Sequence, residues 1–399
     1  MALIGVVCEY NPFHHGHRLH LEKSRAALGE DAAVLCVMSG DFVQRGQAAV
    51  YDKFSRAEAA CRCGADLVAE LPLPWALSSA EGFARGAVGL LADLGASHLS
   101  FGSETGELAA LEELAAALLE PGTTEEIKAL LRSDGSLSFA AARERLLGER
   151  LGDTALLLRQ PNNILAVEYL KAIRGGGEKL CPMAVKREGS PHDGAECAWP
   201  PSASALRARL AAGESLHGAV PEEAESVYLR ERMQGRELAS PLALEQAMLA
   251  RLRMLGEEDF ACLPDAGDGL GRRLWTAVNR ESGLEEILAA AATKRYPHAR
   301  LRRMCLCACL GVREGMNRGR PPYARILAMN DRGRSWLRQS GEESRVPLLI
   351  RPAAVRKLPE PCGSLFTLGA RAHDFYVLGR SAAEERRPGE DWRTGPRMI

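Results

Sequence analysis

A short apolar run that stops at a proline and gives way to a helix opens this chain and constrains the fold more than any other feature. Leu3-Ile4-Gly5-Val6-Val7 is too short for a helix and reads as a buried β-strand. Asn11-Pro12 ends it, because the pyrrolidine lacks an N–H donor and biases the preceding residue away from helix. After Gly16 the pattern turns helical, with Leu19, Leu21 and Ala26–Leu28 set among Arg18, Glu22, Lys23 and Arg25. Strand, loop and helix put His14 and His17 at the mouth of that helix. A helix start carries unpaired N–H groups and the positive end of the dipole, and Gly16 lets a bound group approach the backbone. Two imidazoles there can donate to phosphate oxygens. Zinc fits poorly, since the pair is spaced across a glycine turn with no third ligand nearby. The stretch predicts a nucleotide site.

The same alternation repeats downstream. A second strand, Ala32–Met38, empties into Ser39-Gly40 and a polar loop, Gly40–Gly46, before a helix through Lys53, Arg56 and Ala57–Ala60. A third, Asp66–Leu71, is stopped by Pro72 and Pro74; a helix Ala80–Leu94 follows, then a fourth strand, His98–Phe101, opening into Gly102-Ser103-Glu104. Strands alternating with helices imply parallel βαβ units and a doubly wound α/β sheet. Ligands bind such sheets at the strand C-termini, and His14, Ser39, Glu70 and Gly102 all follow or end strands. Thr123–Leu147 reads as mostly helical, and Gln160-Pro161-Asn162-Asn163 starts another helix. A short strand, Cys181–Val185, leads to Lys186-Arg187 and a loop, Glu188–Pro201. Ser202 then caps a helix on which Ser204 and Arg207 share a face, a second site able to clamp a triphosphate.

The 399 residues suffice for two or three domains, and a net charge of −1 advertises no global nucleic-acid field. Any such partner needs a local patch. No apolar run is long enough to cross a bilayer, and the first strand has no basic leader before it, so the expected place is the cytoplasm. The 11 cysteines are an odd number and their one-residue gaps, as in Cys61-Arg62-Cys63 and Cys305–Cys309, miss zinc-knuckle spacing; buried free thiols and no metal site are expected. There is no GxxxxGK[ST] loop. The charged segment 213–240 sets a domain boundary near 215. Residues 1–215 form the α/β domain, 216–383 a mostly helical one, and 384–399 a flexible tail. In the helix Pro297–Val312, Leu301, Met304, Cys305 and Ala308 make an apolar stripe. Lys294, Arg295, Arg300 and Arg303 surround it with Tyr296, either a solvated face or an RNA contact.

Phe13-His14-His15-Gly16-His17 resembles the HxGH signature of the nucleotidyltransferase superfamily. The longer strings GVVCEYNPFHHGHRLHL and VMSGDFVQRGQAAVYDKFSRAEAA resemble the bacterial tRNA-Met cytidine acetate ligases. So do DLVAELP, FGSE, QPNNIL, the KREG…HD loop, PSASALR and TKRYPHARLRR, which together span most of the chain. The resemblance implies a Rossmann-like nucleotidyltransferase sheet domain of the HUP type followed by a helical, tRNA-binding domain. It implies ATP-dependent transfer of acetate to the exocyclic amine of the wobble cytidine of elongator tRNA-Met, with Mg²⁺ and no protein partner evident. Carried over by position, the ATP site would comprise Val7, Cys8, Glu9, Tyr10, Asn11, Pro12, Phe13, His14, His15, Gly16, His17, Arg18, Leu19, His20, Gly102, Asn162 and Arg187, with Ser202, Ser204 and Arg207 as the second phosphate motif. His15 and Asp41 stand where the family usually has Asn, Ser204 where it has Thr and Leu206 where it has Ile. Asp41 would add a negative charge near the crevice.

The implied chemistry is attack of acetate on the α-phosphorus, giving acetyl-adenylate and pyrophosphate, then attack of the cytidine amine on the mixed anhydride. No protein nucleophile is required; His14, His17, Lys53, Arg187 and Arg207 would hold the phosphates. Two other readings stay open: a nucleotidyltransferase joining a nucleotide to a phosphorylated metabolite, and a non-catalytic RNA-binding protein.

Overall fold

The computed structural model describes residues 2–187 and 200–399. Its centre is a sheet with strands in the order β10 (Arg397–Met398), β8 (Ala324–Met329), β5 (Leu67–Leu71), β2 (Ala33–Ser39), β1 (Leu3–Cys8), β6 (His98–Ser103) and β7 (Cys181–Lys186). Strands β1, β2, β5, β6 and β7 run parallel. A two-stranded hairpin, β3 (Phe42–Val43) and β4 (Gln47–Ala48), projects from the end of β2. The alternation of side chains along β1 and β2 shows why helices cover both faces. Leu3, Leu35 and Val37 pack with Phe83, Ala87 and Leu91 of the helix Ala80–Asp93 on one side. Ile4, Val6, Val34 and Cys36 pack on the other with Leu21 of α1 (His15–Leu28) and Phe54 and Ala57 of α2 (Lys53–Arg62). Gly5 is required by the first of these contacts, because a Cβ there would come within 2.8 Å of Leu91. The expected parallel βαβ order and strand positions are therefore observed, with ends moved by one or two residues.

The domain boundaries differ from the expectation. The helix Glu222–Met233 packs on α2, and its Val227 and Tyr228 belong to the α/β core, so this unit continues past 215. The helical unit packs around Leu249, Leu252, Phe260, Leu274, Ile287 and the predicted stripe Leu301, Met304, Cys305 and Ala308, a core that Phe42, Leu73 and Leu77 of the α/β unit join. After it, the chain returns to the sheet. β8 (Ala324–Met329) lies antiparallel to β5, β9 (Leu348–Leu349) pairs with β8, and β10 (Arg397–Met398) extends the same edge.

The segment 384–399, expected to be a flexible tail, is built into the core through charge. Lys53 Nζ lies 2.8 Å from Glu70 and 2.9 Å from Asp391, and Arg325 holds the same Asp391 at 2.7 Å. His373, wholly buried on the helix Cys362–Tyr376, is 2.9 Å from Asp41 through Nδ1 and 3.2 Å from Glu390 through Nε2. Arg380 joins Glu390 to Asp52. With both ring nitrogens facing carboxylates, His373 is an imidazolium, its pKa raised to about 10 by Asp41 and Glu390 against the opposing effect of burial. Glu390 is held down to about 2 by His373 and Arg380 despite burial, and Asp391 is lowered by Lys53 and Arg325.

These shifts set a pH window. An imidazole raised from 6.5 to about 10 contributes its full stability below about pH 6.5 and loses it as pH climbs towards 10. Glu390, lowered from 4.5 to about 2, contributes above about pH 4.5 and loses it as pH falls towards 2. Chemical denaturation across pH should show greatest stability near pH 5–6. His373→Gln should remove the loss between pH 7 and 10, and an unchanged alkaline limb would contradict the pairing.

Candidate active site

The N-terminus of α1 is capped by its own histidines. His14, with extended φ of −144°, accepts a hydrogen bond at Nδ1 from Gly16 N at 3.1 Å. His17 Nδ1 accepts one from His14 N at 3.2 Å, which closes a capping box made of imidazoles. The rings stack with centroids 3.7 Å apart. With both Nδ1 lone pairs spent on the backbone, each neutral ring carries its proton on Nε2. Burial keeps them neutral, aided by Arg187 at His14 and by His14 at His17; His14 is lowered to about 3 and His17 falls well below its ordinary 6.5. The pair therefore offers N–H donors and no charge. Gly16 serves this arrangement directly, since a Cβ there would sit 3.0 Å from His14 Cε1.

A cavity of about 390 Å³ opens beside these rings at the C-terminal ends of β1, β6 and β7. On its far side Ser202 caps the helix Ala203–Ala211, its Oγ accepting from Ala205 N at 3.2 Å. Arg207 donates to Ser204 Oγ at 3.0 Å and to the carbonyl of Asn11 at 2.8 Å, tying this helix to the loop after β1. Gly102 leaves room for Arg187, whose Cγ would lie 3.3 Å from a Cβ at that position. Asn162 stands on the wall with its amide held by Glu104 at 2.6 Å. Glu9 is the acid on the wall among the described residues; it accepts from Gln44 N at 2.8 Å, and burial raises its pKa. Lys23, Arg45, Lys186, Arg187 and Arg207 surround it, so the cavity suits a polyanion.

Of the expected site residues, Val7, Cys8, Glu9, Tyr10, Asn11, His14, Gly16, His17, Leu19, His20, Gly102, Asn162, Arg187, Ser202, Ser204 and Arg207 line this one cavity. Pro12, Phe13, His15, Arg18 and Lys53 do not. Phe13 is buried, its N–H donating to Tyr228 Oη at 2.8 Å, and Arg18 turns outward to Glu22 and Glu223. Lys53, expected to grip phosphate, is 1% exposed and saturated by Glu70 and Asp391, so it holds the fold together instead. Asp41 places no charge in the crevice either, because His373 and the backbone N–H of Lys53 neutralise it below the surface. Ser39 and Glu70 end strands but lie off the cavity wall. The KREG…HD loop falls largely at 188–199, outside the described residues.

Sequence reasoning missed Lys23, Gln44, Arg45, Gln47 and Lys186, together with an apolar wall of Phe83, Phe101, Ile164, Leu165 and Tyr169. Lys23 had a readable signal, three residues past His20 on the same helix flank. Arg45 had one as well, in a loop leaving the C-terminal end of a strand. Among the described residues the cysteines are free, with Cys61, Cys63, Cys305, Cys307 and Cys309 buried, and no group of three His, Cys, Asp or Glu side chains there could hold a metal.

The basic stripe is only partly available. Tyr296 is buried, and Arg300 lies over its ring at 5.1 Å while donating to the carbonyl of Asp265. Stacking on an RNA base is therefore closed to Tyr296. Arg303 pairs with Asp265 at 3.5 Å and is mostly buried. Lys294 and Arg295 are exposed, the latter 3.4 Å from Asp268.

Known proteins share both the sequence and the shape. The family model described as HIGH Nucleotidyl Transferase matches residues 1–391. A tRNA(Met) cytidine acetate ligase from Syntrophomonas wolfei subsp. wolfei is 34% identical over 99% of both chains. One from Syntrophotalea carbinolica is 38% identical over 94% of this chain and 90% of its own. The crystal structure of Thermotoga maritima TmcAL in its apo form superposes with a TM-score of 0.94 at 28% identity, covering both chains fully. The same protein bound with alpha-thio ATP superposes at 0.91, again at 28% identity over both chains. The chain belongs to the HIGH nucleotidyl transferase family, among the tRNA(Met) cytidine acetate ligases.

Proposed function

We propose that this protein is an ATP-dependent tRNA(Met) cytidine acetate ligase that makes N(4)-acetylcytidine at the wobble position of elongator tRNA-Met. The observation that carries the reading is the pair of Nε2–H donors at a helix N-terminus, facing a second capped helix across one cation-lined cavity. Acetate attacks the α-phosphorus, its oxygen forming the new P–O bond as pyrophosphate leaves. His14 and His17 donate to phosphate oxygens as charge moves towards the leaving group, and being neutral they do so without holding the product by an ion pair. Arg187, Arg207 and the serines of the second helix face the remaining phosphate charge. The cytidine amine then attacks the acetyl carbon, the C–O bond to AMP breaks, and the amine proton is lost. An anticodon-loop base is already single-stranded, so unstacking it costs little.

Mg²⁺ would enter as part of the nucleotide substrate. Glu9 is the wall carboxylate able to meet it, and the triphosphate and water supply the other oxygens such an ion requires. The metabolite-joining alternative shares the same phosphate grip but gives no reason for a helical unit with an exposed basic edge.

Incubation with ATP, labelled acetate and total tRNA, followed by nucleoside mass spectrometry, should place the label in acetylcytidine; label in a small-molecule product would favour the alternative. His17→Ala should slow acetate-dependent ATP–pyrophosphate exchange by roughly 100- to 1,000-fold while tRNA binding persists, as expected for loss of one transition-state donor. A near-wild-type exchange rate would remove His17 from the phosphate grip. Neutralising Lys294 and Arg295 together should weaken tRNA binding and lower its salt slope by about 1 to 2. An unchanged slope would take this edge out of the tRNA surface. Arg300 and Arg303 are unsuited to the same test, because neutralising them would disturb the packing of Tyr296 and Asp265.

A further inference from the structure

The mechanism leaves idle one imidazole on the cavity wall, His20, three residues past His17 on the same flank of α1. Its Nε2 lies 2.9 Å from Ser100 Oγ, and Ser100 Oγ lies 2.6 Å from Ser24 Oγ. Ser24 in turn donates at 2.7 Å to the carbonyl of His20 itself. Both serines are fully buried, so the direction of each bond is forced. A carbonyl can only accept, which commits the single proton of Ser24. Ser24 must then accept from Ser100, and Ser100, its own proton spent, must accept from His20. The ring therefore carries its hydrogen on Nε2.

Burial and the neighbouring Arg187 lower the His20 pKa to about 4, so the ring is neutral at physiological pH and its Nδ1 is a bare lone pair. None of the described residues donates to that nitrogen, and the ring is a half-buried part of the cavity wall. His14 and His17 spend Nδ1 on the backbone and present N–H outward; His20 does the reverse. A bare acceptor repels phosphate oxygens and the acetate anion, and needs an O–H or N–H from the substrate. ATP has such donors in two places: the ribose hydroxyls, one sugar ring from the α-phosphate, and the adenine amine at the far edge of the base. Side chains three apart on a helix start about 5–6 Å from each other. With the α-phosphate at His17, that reach meets the sugar and falls short of the amine.

We infer that His20 Nδ1 accepts a hydrogen bond from a ribose hydroxyl of the bound nucleotide, so that the site selects ribonucleoside over deoxyribonucleoside triphosphates. The inference rests on the ATP reading under Proposed function. Acetate-dependent pyrophosphate exchange tests it without tRNA, using ATP, 2′-deoxy-ATP and 3′-deoxy-ATP. The wild-type protein should use one deoxy analogue less well than ATP, by about 5- to 100-fold in kcat/KM, the loss expected when a buried acceptor is left unpaired. In His20→Ala, ATP should fall to the level of that analogue and the discrimination should vanish. Ser100→Ala, which frees the ring to move its proton, should shrink the discrimination. Equal use of all three nucleotides by the wild type, which needs no variant to fold, would overturn the inference. Undiminished discrimination in either variant would do so too. No exchange with ATP itself would instead defeat the ATP reading on which the inference stands.

Discussion

The fold depends on a buried knot of charge beneath the hairpin that borders the cavity. Asp41, Asp52, Glu70, Glu390 and Asp391 meet Lys53, Arg325, His373 and Arg380, with Arg56 beside them bonding the carbonyls of Glu9, Ser39 and Gly40. The five carboxylates pair with four cations, and His373 is one of them only while it is protonated; the carboxylates at its two nitrogens hold its pKa far above that of a free imidazole. Removing one member would leave a partner charged and buried, typically a loss of about 3–5 kcal/mol. Such a knot contributes less through net attraction than through specificity, because few arrangements satisfy every member. It fixes where β2 ends, where α2 begins and where the last residues of the chain must lie.

The active site is built on that platform by a second economy of hydrogen bonds. Asp41 receives the N–H of Lys53, and the Asp41 carbonyl receives the N–H of Ala49, so both ends of the β3–β4 hairpin are held. Gly46, with φ of +75°, seats the hairpin tip on the helical unit, where a Cβ would come within 2.5 Å of the backbone of Arg303. Gln44 carries the connection to Glu9 and so to the end of β1. From there three histidines on one helix are differentiated by their partners alone. Backbone donors turn His14 and His17 into N–H donors towards the cavity, and a serine pair turns His20 into an acceptor. One side-chain type thus supplies opposite chemistry within two turns.

Much of this is legible in the residues. Alternating apolar runs and helical stretches imply the parallel order, because the central strands are buried on both faces and so read as continuous apolar runs. His14, Gly16 and His17 announce a phosphate site, and Ser202, Ser204 and Arg207 a second one, because capping is a local interaction written into a few consecutive residues. Lys53, Arg18, Phe13 and the charged residues 384–399 mislead for the opposite reason. A charged side chain reads as exposed or ligand-binding until its partner is known, and the partner of Lys53 lies 338 residues away. Tyr296 and Arg303 follow the same rule, being claimed by Arg300 and Asp265 before any RNA could meet them.

The sequence by itself determined the strand–loop–helix units, the two capped helix starts and the membership of the cavity near His14. These rest on periodicity and capping, which act over a few residues. Tertiary structure alone decided that the chain's end returns to the edge of the first sheet, that Lys53 is structural, and that Arg45 and Lys186 reach the cavity. It also decided which nitrogen of each histidine faces the substrate. Those outcomes depend on burial and on pairing between distant segments, and a buried charge or a tautomer takes its meaning from the neighbour that folding brings to it.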